Sequence, residues 1–412
     1  MCRAGAGRAF RAAKNVMRSN DWGSKMSDAA VHNRFIAIWR GVAVLIVAYF
    51  HFSDRIPYEL LGADGPATFP NHIGKLGVYI FFVISGYLIA MSLERCNNLA
   101  EFLAKRVSRI WPLFIFASVV IFIFASTFET PVVLEGPKQF NTEERTLLDL
   151  VGSSLFLTDL GFMFMDGVFW SIIVELKFYL FIGLFAVLFG RNYVNAFCMF
   201  AIIISSVDFG ILIFSGGENI SFVEQGPLSP LGTVLHGILI SQYLPLFALG
   251  AALFKKKFDA TLGLLLLLSA VSCIIGVAED MQFNAGDNIR FIFMLIGLLI
   301  VDHYVLKDRL FLWLGDYSYS IYLFHQLIGL TIIRAVAPTL GMDVAMAVAF
   351  AGIFAIAFVS SWLVEWRFRR PVTRFLLALF SKAGLNRLIF FPGEQAQPSS
   401  VTLPASHRPS VA

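Results

Sequence analysis

The chain has 412 residues, of which 58% are hydrophobic and only 15% charged, with 43 phenylalanines and a mean hydropathy of +0.74. Those values exclude an ordinary soluble domain and place the chain among polytopic membrane proteins. The net charge of +4 is too small to suggest a nucleic-acid partner, because the basic residues cluster beside apolar stretches instead of forming one soluble face.

In chain order, residues 1–34 are basic (Arg3, Arg8, Arg11, Lys14, Arg18, Lys25, Arg34) and lack the apolar core and cleavage site of a signal peptide, so they read as a cytoplasmic tail. Apolar stretches follow at 35–53, 75–93, 109–128, 168–190, 194–215, 233–254, 261–279, 288–305, 312–335 and 344–366. Each is near the roughly 20 residues that a bilayer requires. The expected fold is all-α, a polytopic membrane protein of about ten transmembrane helices, with a membrane domain over 35–375. The stretch 146–160 is a candidate short interfacial helix. Residues 376–412 read as a second cytoplasmic tail, rich in Pro, Ser, Gln and Ala from Pro392 on and expected to be disordered. Four cysteines, Cys2, Cys96, Cys198 and Cys273, have neither metal-ligating nor redox spacing, so no metal site and no disulfide frame is expected.

The loops supply a direction. Arg95, Lys105, Arg106 and Arg109, then Arg191, then Lys255, Lys256 and Lys257, then Lys307 and Arg309, and finally Arg367, Arg369, Arg370 and Arg374 fall on one side. Acidic loops containing Asp54 and Glu59, Glu129 to Asp166, Glu218 and Glu224, and Glu279 to Asp287 alternate with them. By the positive-inside rule both termini are cytoplasmic and the long 129–167 connection is external, either a lid or acceptor surface or a passive connector. No inverted repeat of the kind common in transporters is visible.

Several polar residues lie within the apolar stretches. Arg40 and His51 are eleven positions apart in the first. At about 100° and 1.5 Å per residue they share a helix face and lie roughly 16 Å apart along the axis. A cation at membrane depth costs at least about 2.5–3.5 kcal/mol, so that face looks into protein or a wet cavity. His51 suits a general base near neutral pH. Arg106 and Arg109 stand one turn apart at the start of the third span, either as a positive-inside anchor or as a bidentate phosphate site. Ser171 and Glu175 are one turn apart in the fourth, where the carboxylate orients the His51 imidazole or forms an ion pair with Lys177 or an arginine. Asp208 in the fifth span, with Tyr322 and His325 in the ninth, are further polar candidates for substrate contact or structural hydrogen bonds. Gly216, Gly217 and the Asn219 sequon carry little weight.

Arg40, ten intervening residues and His51 resemble the signature of acyltransferase family 3, membrane O-acyltransferases that modify bacterial surface and secreted carbohydrates. The stretch Gly77 to Leu88, the Arg106/Arg109 pair before Trp111-Pro112, Trp170-Ser171 with Glu175 and Phe178-Tyr179, and Ser320 to His325 resemble it in the same order, over about 35–375. Departures are Ala37, Tyr79 and Leu176 at positions where that pattern carries acids, the absence of a proline after His325, and Glu365 leading into Trp366. They leave the subfamily and acceptor open. The resemblance implies acyl transfer, usually acetyl from acetyl-CoA, to a hydroxyl of a cell-surface or lipid-linked glycan. The acyl-CoA is a co-substrate, and no bound cofactor is implied. It makes Arg40 and His51 essential and gives Arg106 and Arg109 to donor binding. The protein is then expected to be multi-pass in the cytoplasmic (inner) membrane, with an acyl-CoA donor, a carbohydrate acceptor and the bilayer as partners. An acyl-enzyme on Ser171 or His51 is the alternative to direct transfer. A transporter or flippase using the Arg, His and Glu residues as a substrate or proton path is the competing class.

Overall fold

The computed structural model describes residues 20–54, 74–128, 145–214, 233–256, 259–280 and 309–390, and every regular element among them is helical. The helices are α1 (Asn20–Asp54), α2 (Gly74–Leu93), α3 (Leu99–Thr127), α4 (Leu147–Ser154), α5 (Trp170–Phe189), α6 (Tyr193–Phe214), α7 (Leu244–Phe254), α8 (Ala260–Asp280), α9 (Arg309–Leu340), α10 (Met342–Ser360) and α11 (Trp366–Lys382). The expected span 288–305, Gly216, Gly217, Asn219, the 129–144 part of the long loop, residues 1–19 and residues 391–412 lie outside the described residues.

Six segments among the described residues are long and apolar enough to cross a membrane: Arg34–Ser53, Gly74–Leu93, Leu99–Thr127, Gly167–Ile211, Leu310–Leu340 and Met342–Lys382. The fourth holds two helices, because Gly190 takes φ +52° and a turn over Gly190–Asn192 separates α5 from α6. Phe178 against Phe197 (ring centroids 5.6 Å) and Phe185 against Phe200 (5.2 Å) show that the two fold back on each other.

Two stretches differ from the sequence reading. Residues 233–254 are not one continuous helix: a π-turn spans Thr233–Ile238, Ile240 takes φ +50°, and α7 begins at Leu244 with Pro245 in its first turn. Proline is tolerated at a helix start because its missing N–H would have no intrahelical acceptor there. At the other end, the helix expected to stop near 366 continues through a second π-turn, Ser361–Glu365, into α11. Residue 376, the expected start of the tail, thus lies inside a helix. The candidate interfacial stretch contains α4, started by a capping box in which Thr146 and Asp149 bond each other's backbone, with Leu147, Leu148 and Val151 facing outward.

The chain divides into two compact units, the first comprising Met1–Ile84, Leu113–Ser171 and Val271–Val364, and the second comprising Ser85–Pro112, Ile172–Ala270 and Glu365–Ala412. In the first, α9 packs on both α1 and α10. Small residues let the backbones approach, as membrane helices require when lipid supplies no hydrophobic drive. A Cβ on Gly315 would run into the Ala37 backbone, and one on Gly41 would meet the Phe311 carbonyl oxygen at 2.7 Å. Ser320 and Ser360, with hydroxyls 2.6 Å apart, tie α9 to α10. In the second unit, Phe178 stacks on Phe247 at 4.2 Å, and the Asn98–Ile389 bridge brings Phe390 against Phe102.

Candidate active site

In the first unit the α1–α9 contact carries two buried imidazoles. His51 is 8% exposed and His325 is fully buried. His51 Nδ1 lies 2.8 Å from the Val47 carbonyl oxygen and 3.2 Å from His325 Nε2. His325 Nδ1 in turn lies 2.7 Å from the Tyr322 carbonyl oxygen. A carbonyl only accepts, so each Nδ1 carries its proton and each neutral ring has its lone pair on Nε2. His325 Nε2 therefore accepts from His51 Nδ1–H, and the basic nitrogen of His51 is Nε2. The rings meet edge to face, 4.8 Å between centroids and 75° between planes.

The residues around the pair are fixed by hydrogen bonds to the turn before α5. Tyr322 donates its hydroxyl to Val168 O (2.9 Å), and Ser171 Oγ sits 2.7 Å from the same phenol oxygen. Since the phenol proton goes to Val168, the serine proton points at Tyr322. The one serine proton thus goes to the phenol oxygen, with Val168 O (3.3 Å) as its alternative acceptor, and neither is a base that would activate a serine nucleophile. Asp166, 1% exposed, accepts from Val168 N (3.3 Å) and from Leu327 N of α9 (3.1 Å), two residues beyond His325. Burial pushes the nearby Arg145 guanidinium below its ordinary value, and the Asp166 charge opposes that shift. Asp166→Ala leaves two buried amides without this acceptor, at about 1–3 kcal/mol each. The expected outcome is a lower thermal midpoint together with reduced activity; an unchanged midpoint would mean that Asp166 does not hold this turn.

Arg40 stands on α1, one continuous helix from Asn20 to Asp54, so the axial separation of roughly 16 Å from His51 applies. In the second unit, Glu175 Oε1 accepts from Tyr179 OH (2.6 Å) and from Ser85 Oγ. Lys177 donates to Gly237 O of the π-turn (2.6 Å). Arg106 and Arg109 lie on α3, both within electrostatic reach of Tyr179. Asp208 accepts from Ser241 Oγ (2.8 Å) and lies 2.7 Å from His236 Nε2, which anchors the π-turn and the irregular segment after it.

The structure therefore joins His51 to His325 and Ser171 to Tyr322, and it sends the Glu175 bonds to Ser85 and Tyr179. Sequence reasoning missed Asp166 and His236. Asp166 was readable as an N-cap before Gly167, whereas His236 carried no signal without its partner. The described cysteines Cys96, Cys198 and Cys273 are buried thiols outside any disulfide. Burial pushes the Cys96 thiol up to about 11 despite nearby Lys105, so it offers little thiolate at neutral pH. Among the described residues no group of three or more His, Cys, Asp or Glu side chains is placed to hold a metal.

Comparison with known proteins adds a family. O-acetyltransferase OatA of Staphylococcus aureus (strain NCTC 8325 / PS 47) is 26% identical over 285 residues, covering 61% of this chain and 45% of that protein. Peptidoglycan O-acetyltransferase OatA of Listeria monocytogenes serovar 1/2a is 24% identical over 286 residues, covering 61% and 44%. The chain thus spans less than half the length of these relatives. No solved structure matches it. The acyltransferase-3 family model, described as an acyltransferase domain, matches residues 33–366, which include His51, His325, Arg40, Arg106, Arg109 and Glu175. With most of its length matched, the chain belongs to the acyltransferase-3 family.

Proposed function

We propose that the protein is an integral membrane O-acyltransferase that moves an acyl group, acetyl by the names of its relatives, from cytoplasmic acyl-CoA to a hydroxyl of a cell-surface or lipid-linked glycan. The observation that carries this reading is the buried His51–His325 contact on the α1–α9 seam. His51 Nε2 takes the proton of the acceptor hydroxyl, whose oxygen attacks the thioester carbonyl. The new C–O bond forms, the C–S bond breaks, and the proton passes from Nε2 to the departing CoA sulfur. Throughout, Nδ1–H keeps its bonds to Val47 O and His325 Nε2, so His325 supports the imidazolium as a carboxylate does in hydrolase triads. The hydrogen bonding of Ser171 favours direct transfer over an acyl-enzyme on that serine. Arg106 and Arg109 take the CoA phosphates, and Glu175 positions Tyr179 beside them; Arg40, on α1, is a separate candidate for donor binding by its charge. The loop charges argue for the cytoplasmic membrane, with the donor side inside and the acceptor side outside.

The test is purified full-length protein in lipid nanodiscs with labelled acetyl-CoA and candidate glycans; the name of the Listeria relative makes a peptidoglycan-type glycan the first acceptor to try. Label on the glycan with matching release of CoA thiol supports the reading. Glycan movement without acyl transfer identifies a flippase instead. His325→Leu removes the acceptor facing Nδ1–H and should lower kcat about 10- to 100-fold with KM for acetyl-CoA unchanged. A raised KM with unaltered kcat would assign His325 to binding.

A further inference from the structure

The basic pair on α3 has a third member. Arg369 of α11, 260 positions beyond Arg109 in the chain, lies within electrostatic reach of both Arg109 and Arg106. Hydrogen bonds fix this placement. Thr373 donates its hydroxyl to Arg369 O one turn earlier (2.7 Å), and Ser108 Oγ lies 2.6 Å from Thr373 Oγ1, which pins α11 to α3 beside Arg109. The Nε of Arg106 is sealed from solvent and has no hydrogen-bond partner among the described residues. Among the described residues, the Glu365 carboxylate lies within electrostatic reach of Arg369, and the Tyr179 phenol and Cys96 thiol, neither a carboxylate, lie within reach of Arg106. Among the described residues, even with the Glu175 carboxylate bonded to Tyr179, the three guanidinium groups outnumber the carboxylates set against them. An excess of positive charge on half-buried Arg106 and Arg109 and solvent-reachable Arg369, with one donor left unused, is what a site for a multiply charged anion requires. Planar N–H forks suit phosphate oxygens, and a pyrophosphate with a further phosphate offers more of them than two arginines can cover.

We propose that Arg369 joins Arg106 and Arg109 in one phosphate-binding site whose ligand is the phosphorylated end of acyl-CoA. This rests on the donor-side reading above. An anionic lipid headgroup presents the same chemistry, so the experiment separates the two sources. CoA binding and the acetyl-CoA KM are measured on the full-length protein in zwitterionic nanodiscs, and lipid binding is measured with phosphatidylglycerol. Arg369→Gln should weaken CoA binding and raise KM about 10-fold with kcat retained. Arg369→Lys, which keeps the charge and loses the fork, should fall between it and wild type. The Lys variant decides the matter if the Gln variant fails to fold. Arg370→Gln, at the neighbouring and equally exposed position, should behave as wild type. CoA affinity unchanged in both Arg369 variants while wild type binds CoA would overturn the role of Arg369 and leave the donor reading standing. Wild-type protein that binds no CoA would overturn the donor reading itself. Loss of phosphatidylglycerol binding with CoA binding intact would make the ligand a headgroup and sink the CoA assignment.

Discussion

His51→Ala should cut acyl transfer by about 10²- to 10⁴-fold while leaving CoA binding unchanged. That range is what a positioned general base contributes, the role proposed for His51: its Nδ1 proton is held by Val47 O and His325 Nε2, which leaves the lone pair on Nε2. The substitution also strips His325 Nε2 of its donor, which costs about 1–3 kcal/mol if nothing replaces it. His51→Gln therefore belongs in the same experiment. Its amide can still donate toward the Val47 carbonyl and His325 while providing no base, so it separates lost chemistry from lost packing. Each variant is checked for insertion and a single species in detergent. Wild-type transfer rates in a correctly inserted His51→Ala protein would remove the base assignment.

Gly315→Val should be nearly as damaging, although it alters no polar atom. The added Cβ would overlap the Ala37 backbone, which cannot rotate away as a side chain does. Overpacking of this kind typically costs about 1–3 kcal/mol, and relief must come from pushing α9 off α1. Those helices carry the two imidazoles, and a displacement of about 1 Å at reacting groups can cost on the order of 10²-fold in rate. A thermal midpoint several degrees lower and a comparable loss of transfer are expected. Gly210→Val is the matched control, because a Cβ there meets nothing within 4 Å. Equal behaviour of the two variants would refute the close approach.

The positions of most described helices were legible because apolar runs of about 20 residues carry their own signal. The break within 233–254 was not. Its composition stays apolar, and the π-turn is held by Lys177 and Asp208, which are remote in sequence. The site shows the same division. Arg40 and His51 share a helix, so their spacing alone placed them on one face. No periodicity connects His51 to His325, 274 positions away. Ser171 and Glu175 were correctly one turn apart, yet spacing cannot say that the serine bonds Tyr322 while the carboxylate bonds Tyr179 and Ser85. Asp166 was counted among loop charges because its acceptors' partners, the amides of Val168 and Leu327, are anonymous in sequence.

The 274 positions between the two imidazoles also set an order of events during synthesis. The helix with Arg40 and His51 leaves the ribosome before α9 and must wait in the bilayer until it arrives, its Gly41 surface uncovered meanwhile. A nascent chain halted before α9 would contain the arginine–histidine motif intact and still lack the His325 partner of His51. Such a fragment would also expose an unfinished helix surface to membrane quality control, so abundance rather than rate would report defects in the C-terminal half.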